Sequence, residues 1–143
     1  MAPEPRVLVV DDSVVARHVL VLTLRQLPEF AYATIDQAGN GAIALKKLAA
    51  ERYDLVLSDV RMPLMDGLDM VSKLRNEMGD RTTPVLLIST LGTEEDVQRG
   101  LAAGADAYVL KPLLPHSIQT AIREFLDSRN RPAAAPQGSG QKT

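Results

Sequence analysis

Short runs of aliphatic residues alternate along the chain with longer segments in which apolar residues recur every three or four positions. Residues 7–10 are apolar throughout and end at Asp11, which is typical of a strand buried on both faces of a parallel sheet. Residues 14–27 have helical spacing and are followed by Pro28, which predicts a helix that ends there. The same alternation continues to residue 128 and predicts five strands and five helices.

The remaining predicted elements follow the same rules. The other strands are predicted at residues 32–37, 54–58, 84–89 and 107–110. The other helices are predicted at residues 42–51, 68–78, 94–103 and 115–128. Strict alternation favours parallel pairing through right-handed crossovers, with helices on both faces of the sheet. The predicted fold class is therefore α/β, a flavodoxin-like doubly wound sheet of five parallel strands in the order 2-1-3-4-5.

Length and composition fit one domain and exclude several classes of function. We predict a domain at residues 6–128 and a disordered tail or linker stub at residues 129–143, which lack apolar periodicity. Sixteen basic and 18 acidic residues give a net charge of −2, which argues against direct binding to nucleic acid. The absence of cysteine excludes disulfides and thiolate catalysis. No apolar run is long enough to span a membrane and no signal peptide is visible, so we expect a cytoplasmic protein.

Polar and charged residues stand at the carboxyl ends of four predicted strands, where ligands bind in open parallel sheets. These residues are Asp11 and Asp12, Asp59, Ser89 and Thr90, and Lys111. The predicted strand order makes the first and third strands neighbours, so three carboxylates converge, which is unfavourable unless a cation lies among them. Oxygen ligands without histidine or cysteine favour Mg²⁺ or another hard divalent ion. A hydroxyl and an ammonium group beside that ion would suit a phosphoryl group.

Each of these residues also has an ordinary structural interpretation. An Asp-Asp pair after a strand often caps the following helix, and Asp59 ahead of a proline and a glycine could belong to a turn. Ser89 and Thr90 could be loop residues, and Lys111 a solvated charge. Their coincidence at one edge of the predicted sheet favours a functional site.

Six short motifs carry a resemblance to a known family. They are VVDDS at 9–13, DLVLSD at 54–59, MPLMDG at 62–67, IST at 88–90, GADAY at 104–108 and KP at 111–112. In this order and at these intervals, the chain resembles the receiver domain of bacterial two-component response regulators over roughly residues 6–128. Ser13 followed by Arg17, together with Ser89 and Thr90, is similar to the chemotaxis, CheY-like branch, although Ser13 could equally cap a helix and Arg17 could be a surface residue.

The resemblance implies a site that takes up a phosphoryl group. Asp59 is implied as the acceptor, a carboxylate nucleophile that receives the group from a histidine kinase or phosphotransfer protein. Asp11, Asp12, Asp59 and the backbone carbonyl of Arg61 are implied as ligands of Mg²⁺. Lys111 is implied as the cation that pairs with the phosphoryl oxygens, in a cis Lys111–Pro112 peptide.

The resemblance also implies a switch and an output. Ser89, Thr90 and Tyr108 are implied as the switch, with the Ser89 hydroxyl closing on the phosphoryl group and the Tyr108 ring moving inward. The face formed by the fourth helix, fifth strand and fifth helix would then control a partner protein or output domain. We expect a monomer or weak homodimer whose only chemistry is its own phosphorylation and slow autodephosphorylation.

Three alternatives share parts of this pattern. A pseudo-receiver, a scaffold of the same fold that binds proteins without being phosphorylated, is the most serious, although every key position is filled here. Phosphatases of the haloacid dehalogenase type place a second aspartate two residues after the nucleophile, where this chain has Arg61. A flavin mononucleotide binder needs a hydroxyl-rich phosphate loop after the first strand, where Asp11 and Asp12 would repel a phosphate.

Overall fold

Five strands and five α-helices alternate in the computed structural model, which describes residues 4–90, 92–110 and 115–130. The strands are β1 (Arg6–Val10), β2 (Thr34–Ala38), β3 (Leu55–Asp59), β4 (Val85–Ser89) and β5 (Ala107–Leu110). The helices are α1 (Val14–Arg25), α2 (Gly41–Ala50), α3 (Gly67–Asn76), α4 (Glu94–Ala103) and α5 (Pro115–Asn130). All ten predicted elements are present.

The boundaries differ from the prediction near the end of α1 and at the chain's last helix. After Arg25 the backbone hydrogen bonds join residues three apart, as in the bond from the Leu27 N–H to the Leu24 carbonyl at 3.0 Å. A 3-10 turn follows at Pro28–Phe30. The Phe30 side chain is buried, so this turn packs on the core and β2 starts two residues later than predicted. Helix α5 extends to residue 130, two residues into the segment predicted as a tail.

The strands form one parallel sheet in the order β2-β1-β3-β4-β5, which confirms the predicted topology. Strand β1 lies inside the sheet, and its side chains alternate between two cores because successive residues of a strand point to opposite faces. Leu8 and Val10 pack in the core beneath α2 and α3, whereas Val7 and Val9 pack in the core beneath α1 and α5. Burial on both faces explains why β1, β3 and β4 lack polar alternation.

The register of the strands brings their carboxyl ends to one edge of the sheet. Val10 of β1 pairs with Ser58 of β3, and Asp59 pairs with Ile88 of β4. The residues that follow these pairs are therefore neighbours across three strands. In the part of the chain that the structure describes, no helix is long and apolar enough to cross a membrane.

Candidate functional site

Three carboxylates meet at the carboxyl edge of the sheet. One oxygen from each of Asp11, Asp12 and Asp59 lies within 4.8 Å of the other two, and we call this group the acidic cluster. Asp11 and Asp59 are buried, with 2% and 8% of their surfaces exposed, whereas Asp12 is exposed. Three like charges this close repel one another unless a cation neutralises them. The oxygen-only donor set and its opening to solvent at Asp12 fit a hard divalent ion such as Mg²⁺.

The turn between β1 and α1 positions Asp11. Its backbone N–H donates to the Ala38 carbonyl of β2 at 3.1 Å, and its Oδ1 accepts from the Ser13 N–H at 2.9 Å. Helix α1 is capped by Ser13, whose hydroxyl accepts from the Ala16 N–H at 3.1 Å. The cap is therefore supplied by the serine, and the Asp11–Asp12 pair is not needed for it.

Asp59 ends β3, and the loop that follows folds back tightly against it. The N–H of Gly67 donates to the Val60 carbonyl at 2.8 Å. A Cβ atom on Gly67 would collide with the carbonyl oxygen of Asp59, so only glycine allows this approach. Arg61 lies exposed in this loop, two residues after Asp59, and its carbonyl remains a predicted ligand.

The tip of this loop has a conformation that the sequence does not signal. Leu64 has a φ of 72°, in the left-handed region, and the Met65 N–H donates to the Pro63 carbonyl at 2.8 Å to close a three-residue turn. The Met65 carbonyl accepts from the N–H of Gly41 at 3.3 Å, at the start of α2. A Cβ on Gly41 would lie 2.9 Å from Met65, so the start of α2 also serves as a docking point for the site loop.

Strands β4 and β5 bring the predicted switch residues to the same side of the sheet. Ser89 is completely buried at the end of β4, one position after the partner of Asp59 in register, and Thr90 is exposed. Tyr108 is half-buried on β5, and its ring lies 2.7 Å from where a Cβ on Gly100 of α4 would be. The Tyr108 ring is thus enclosed between the sheet and α4.

Lys111 and the Lys111–Pro112 peptide lie outside the described residues, so the predicted cation and cis peptide stay predictions. The structure brings together Asp11, Asp12 and Asp59 and sets Ser89 beside the strand that carries Asp59.

Arg17 makes a contact to the main chain of the site that its place in the sequence does not predict. Its Nη1 donates to the backbone carbonyl of Asp11 at 2.6 Å, and its Nε donates to Oε1 of Gln37 at 3.0 Å. The residue joins α1 to the ends of β1 and β2 and contacts the main chain of Asp11, a member of the acidic cluster. The available signal was an arginine one helical turn after Ser13, which a surface role would explain equally well.

Comparison with known proteins agrees with this geometry. Residues 7–123 match the response regulator receiver domain family. Chemotaxis protein CheY1 of Helicobacter pylori is 33% identical over 126 residues, which cover 87% of this chain and 99% of that protein. The gliding motility regulatory protein of Myxococcus xanthus is 39% identical over 106 residues, 74% of this chain and 13% of that protein. The chain thus spans a small part of one relative and nearly all of another.

A solved structure shows the same fold. The crystal structure of the CheX–CheY–BeF3–Mg²⁺ complex from Borrelia burgdorferi matches with a TM-score of 0.77 and 31% identity, over 85% of this chain and 88% of that one. Family match, strand order and motifs therefore agree over most of the chain, and the resemblance noted in the sequence is confirmed. The chain belongs to the response regulator receiver domain family of two-component systems.

Proposed function

We propose that this receiver domain accepts a phosphoryl group on Asp59 from a histidine kinase or phosphotransfer protein and thereby controls a partner protein or output domain. The acidic cluster is the observation that carries the proposal. Asp59 is the member of the cluster that lies between the β1 carboxylates and the β4 hydroxyl of Ser89. An acceptor needs a metal on one side and hydrogen-bond donors on the other, and Asp59 occupies that intermediate place.

The acidic cluster and the carbonyl of Arg61 would hold Mg²⁺. The bound ion would neutralise charge on the phosphoryl oxygens during transfer. The hydrogen bond from the Ser13 N–H to Oδ1 would help to hold the Asp11 carboxylate in place for the ion. Both Asp11 and Asp59 are buried, so little water competes for their oxygens.

The chain's own residues would perform the remaining steps. An oxygen of Asp59 attacks the phosphorus of the donor phosphohistidine, the P–O bond forms as the P–N bond breaks, and the imidazole leaves. The Ser89 hydroxyl and the Lys111 ammonium then donate to phosphoryl oxygens. The product is an acyl phosphate, which hydrolyses slowly. Arg61 stands where a phosphatase of the haloacid dehalogenase type has its acid, so we propose no turnover on external substrates.

The phosphoryl contacts would select one of two conformations of the output face, which we place on α4, β5 and α5. The phosphoryl site and the output face would be linked by Ser89, Thr90 and Tyr108. Ser89 ends the strand beside Asp59, and the Tyr108 ring packs against Gly100 of α4. A change at the hydroxyl can therefore reach α4 through one strand and one ring.

Fluoroberyllate, which mimics a phosphoryl group on a carboxylate, tests this proposal through binding. The Borrelia burgdorferi CheY of similar structure is in complex with BeF3 and Mg²⁺. With both present, we expect the melting temperature of the wild type to rise by several degrees above that with Mg²⁺ alone, since a ligand at 100 times its Kd stabilises by about 2.7 kcal/mol.

Two variants give this experiment its controls. Asp59→Asn keeps the shape and removes one of three repelling charges, so it should fold and show no rise. Asp127→Asn makes the same change at an exposed position of α5 and should respond like the wild type. A rise that persists in Asp59→Asn would rule out Asp59 as the acceptor.

A further inference from the structure

We propose that Arg17 is a positioning residue of the magnesium site, which holds the peptide between Asp11 and Asp12 so that the Asp12 carboxylate faces the ion. The inference rests on the proposed function and adds to it a residue outside the ligand set. The side chain of Arg17 donates to a main-chain carbonyl and to Gln37, and not to the carboxylate oxygens of the acidic cluster.

The Asp12 side chain is the least supported member of the acidic cluster. It is exposed, and within the residues that the structure describes its carboxylate forms no hydrogen bond or ion pair. Its oxygen nevertheless lies within 4.8 Å of oxygens of Asp11 and Asp59. Since no side-chain contact fixes it, its placement depends on the backbone that carries it.

That backbone is held on both sides of Asp11. The Asp11 N–H donates to the Ala38 carbonyl at 3.1 Å, and the Asp11 carbonyl accepts from Nη1 of Arg17 at 2.6 Å. The carbonyl of Asp11 and the nitrogen of Asp12 belong to the same planar peptide group. Fixing that plane fixes the N–Cα bond of Asp12, and the hydrogen bond from the Ser13 N–H to Oδ1 of Asp11 restrains the peptide on the other side. The two restraints together orient the Cα–Cβ bond of Asp12.

Arg17 is itself held firmly enough to do this. Its Nε donates to Oε1 of Gln37 at the end of β2, at 3.0 Å, and its backbone N–H donates to the Ser13 carbonyl at 3.0 Å. The side chain is half-buried. Two strands and one helix are thus joined through one guanidinium group next to the acidic cluster.

The positive charge of Arg17 distinguishes a positioning role from a purely electrostatic one, because the two predict opposite effects of its removal on Mg²⁺ binding. The guanidinium binds a main-chain carbonyl, and among the described residues it forms no ion pair with a carboxylate of the acidic cluster. A nearby cation repels Mg²⁺, and removing it on electrostatic grounds alone would strengthen Mg²⁺ binding. Loss of positioning would weaken it instead.

Isothermal titration of the protein with Mg²⁺ alone tests the proposal without phosphorylation. We expect Arg17→Met to raise the Kd for Mg²⁺ by about 10- to 100-fold, the loss typical of outer-shell partners of metal ligands. Arg17→Lys keeps the charge and one donor and should fall between Arg17→Met and the wild type. Gln37→Ala, at an exposed position that should not affect folding, should raise the Kd a few-fold because Arg17 loses its second anchor.

Arg25→Met is the matched control. Arg25 lies on the same helix and donates to the carbonyls of Phe30, Ala31 and Ala33, in the loop between α1 and β2. Its loss should lower the melting temperature measured in chelator and leave the Kd for Mg²⁺ unchanged.

Unchanged or tighter Mg²⁺ binding by Arg17→Met and Gln37→Ala would overturn the positioning role. Equal weakening by Arg25→Met would also overturn it, because general destabilisation would then explain the loss. A wild type that binds no Mg²⁺ would instead contradict the proposed function itself, so the two failures are distinguishable.

Discussion

Single residues determine the shape of the site through main-chain contacts as much as through functional groups. The loop after β3 turns back against Asp59, and Gly67 permits this because a Cβ at its position would collide with the Asp59 carbonyl. Leu64 adopts a left-handed φ of 72° at the tip of the same loop and is 91% exposed. Such a conformation of a non-glycine residue costs of order 1 kcal/mol and persists because the rest of the loop is fixed.

Gly67→Ala should therefore damage both stability and the site. We expect the free energy of unfolding to fall by about 1–3 kcal/mol, the usual cost of overpacking, and Mg²⁺ binding to weaken because Asp59 must shift. Urea unfolding and Mg²⁺ titration would measure the two effects. The comparison variant for stability is Gly39→Ala, where a Cβ would make an ordinary contact of 3.6 Å with Nη1 of Arg17. Equal losses of unfolding free energy in both variants would refute the steric argument at Gly67.

At the scale of elements, α4 is attached to the domain by few contacts. Gly100 is its one buried residue, and the Tyr108 ring fills the space beside it. Arg75 of α3, which is 6% exposed, holds the C-terminal end of α4. Arg75 donates to the carbonyls of Gly104, Asp80 and Thr83 and to the carboxylate of Asp106. Helix α4 is thus held firmly at its C-terminal end.

The attachment at Arg75 includes a carboxylate whose pKa is lowered. Burial raises the pKa of Asp80, but hydrogen bonds from the Thr83 side chain and from the backbones of Thr83 and Thr82, with the charge of Arg75, bring it below 3.8. A lowered pKa stabilises the folded state above the ordinary value of 3.8, and that stabilisation is lost as the pH falls below it.

Arg75→Met should cost about 3–5 kcal/mol of unfolding free energy, because it leaves the buried Thr83 carbonyl and the half-buried carbonyls of Gly104 and Asp80 without this donor. It also removes the cation paired with the Asp106 carboxylate. Urea unfolding at neutral pH measures this loss. Arg99 is an exposed arginine of α4 that pairs with Asp96, and Arg99→Met should cost less than about 1 kcal/mol of unfolding free energy. Similar losses for the two arginines would contradict the proposed attachment.

At the scale of the whole molecule, the sequence predicted the sheet and the edge that carries the site. Apolar runs that end at Asp11, Asp59 and Ser89 are local signals, and strict alternation with helices leaves few topologies. The contacts of Arg17 and Arg75 were not predicted, since their acceptors are carbonyls of distant segments and any residue type supplies a carbonyl. The left-handed Leu64 was missed for a related reason, because its conformation is imposed by the closure of the loop onto α2.

Intact-protein mass spectrometry after incubation with acetyl phosphate tests the central claim most directly, since it detects the covalent product. With Mg²⁺, we expect a single phosphoryl adduct on the wild type that hydroxylamine removes, as it does an acyl phosphate. The adduct should be absent with chelator and absent from Asp59→Asn. The same adduct on Asp59→Asn, or none on the wild type in Mg²⁺, would contradict the account, and the second result would favour a pseudo-receiver scaffold.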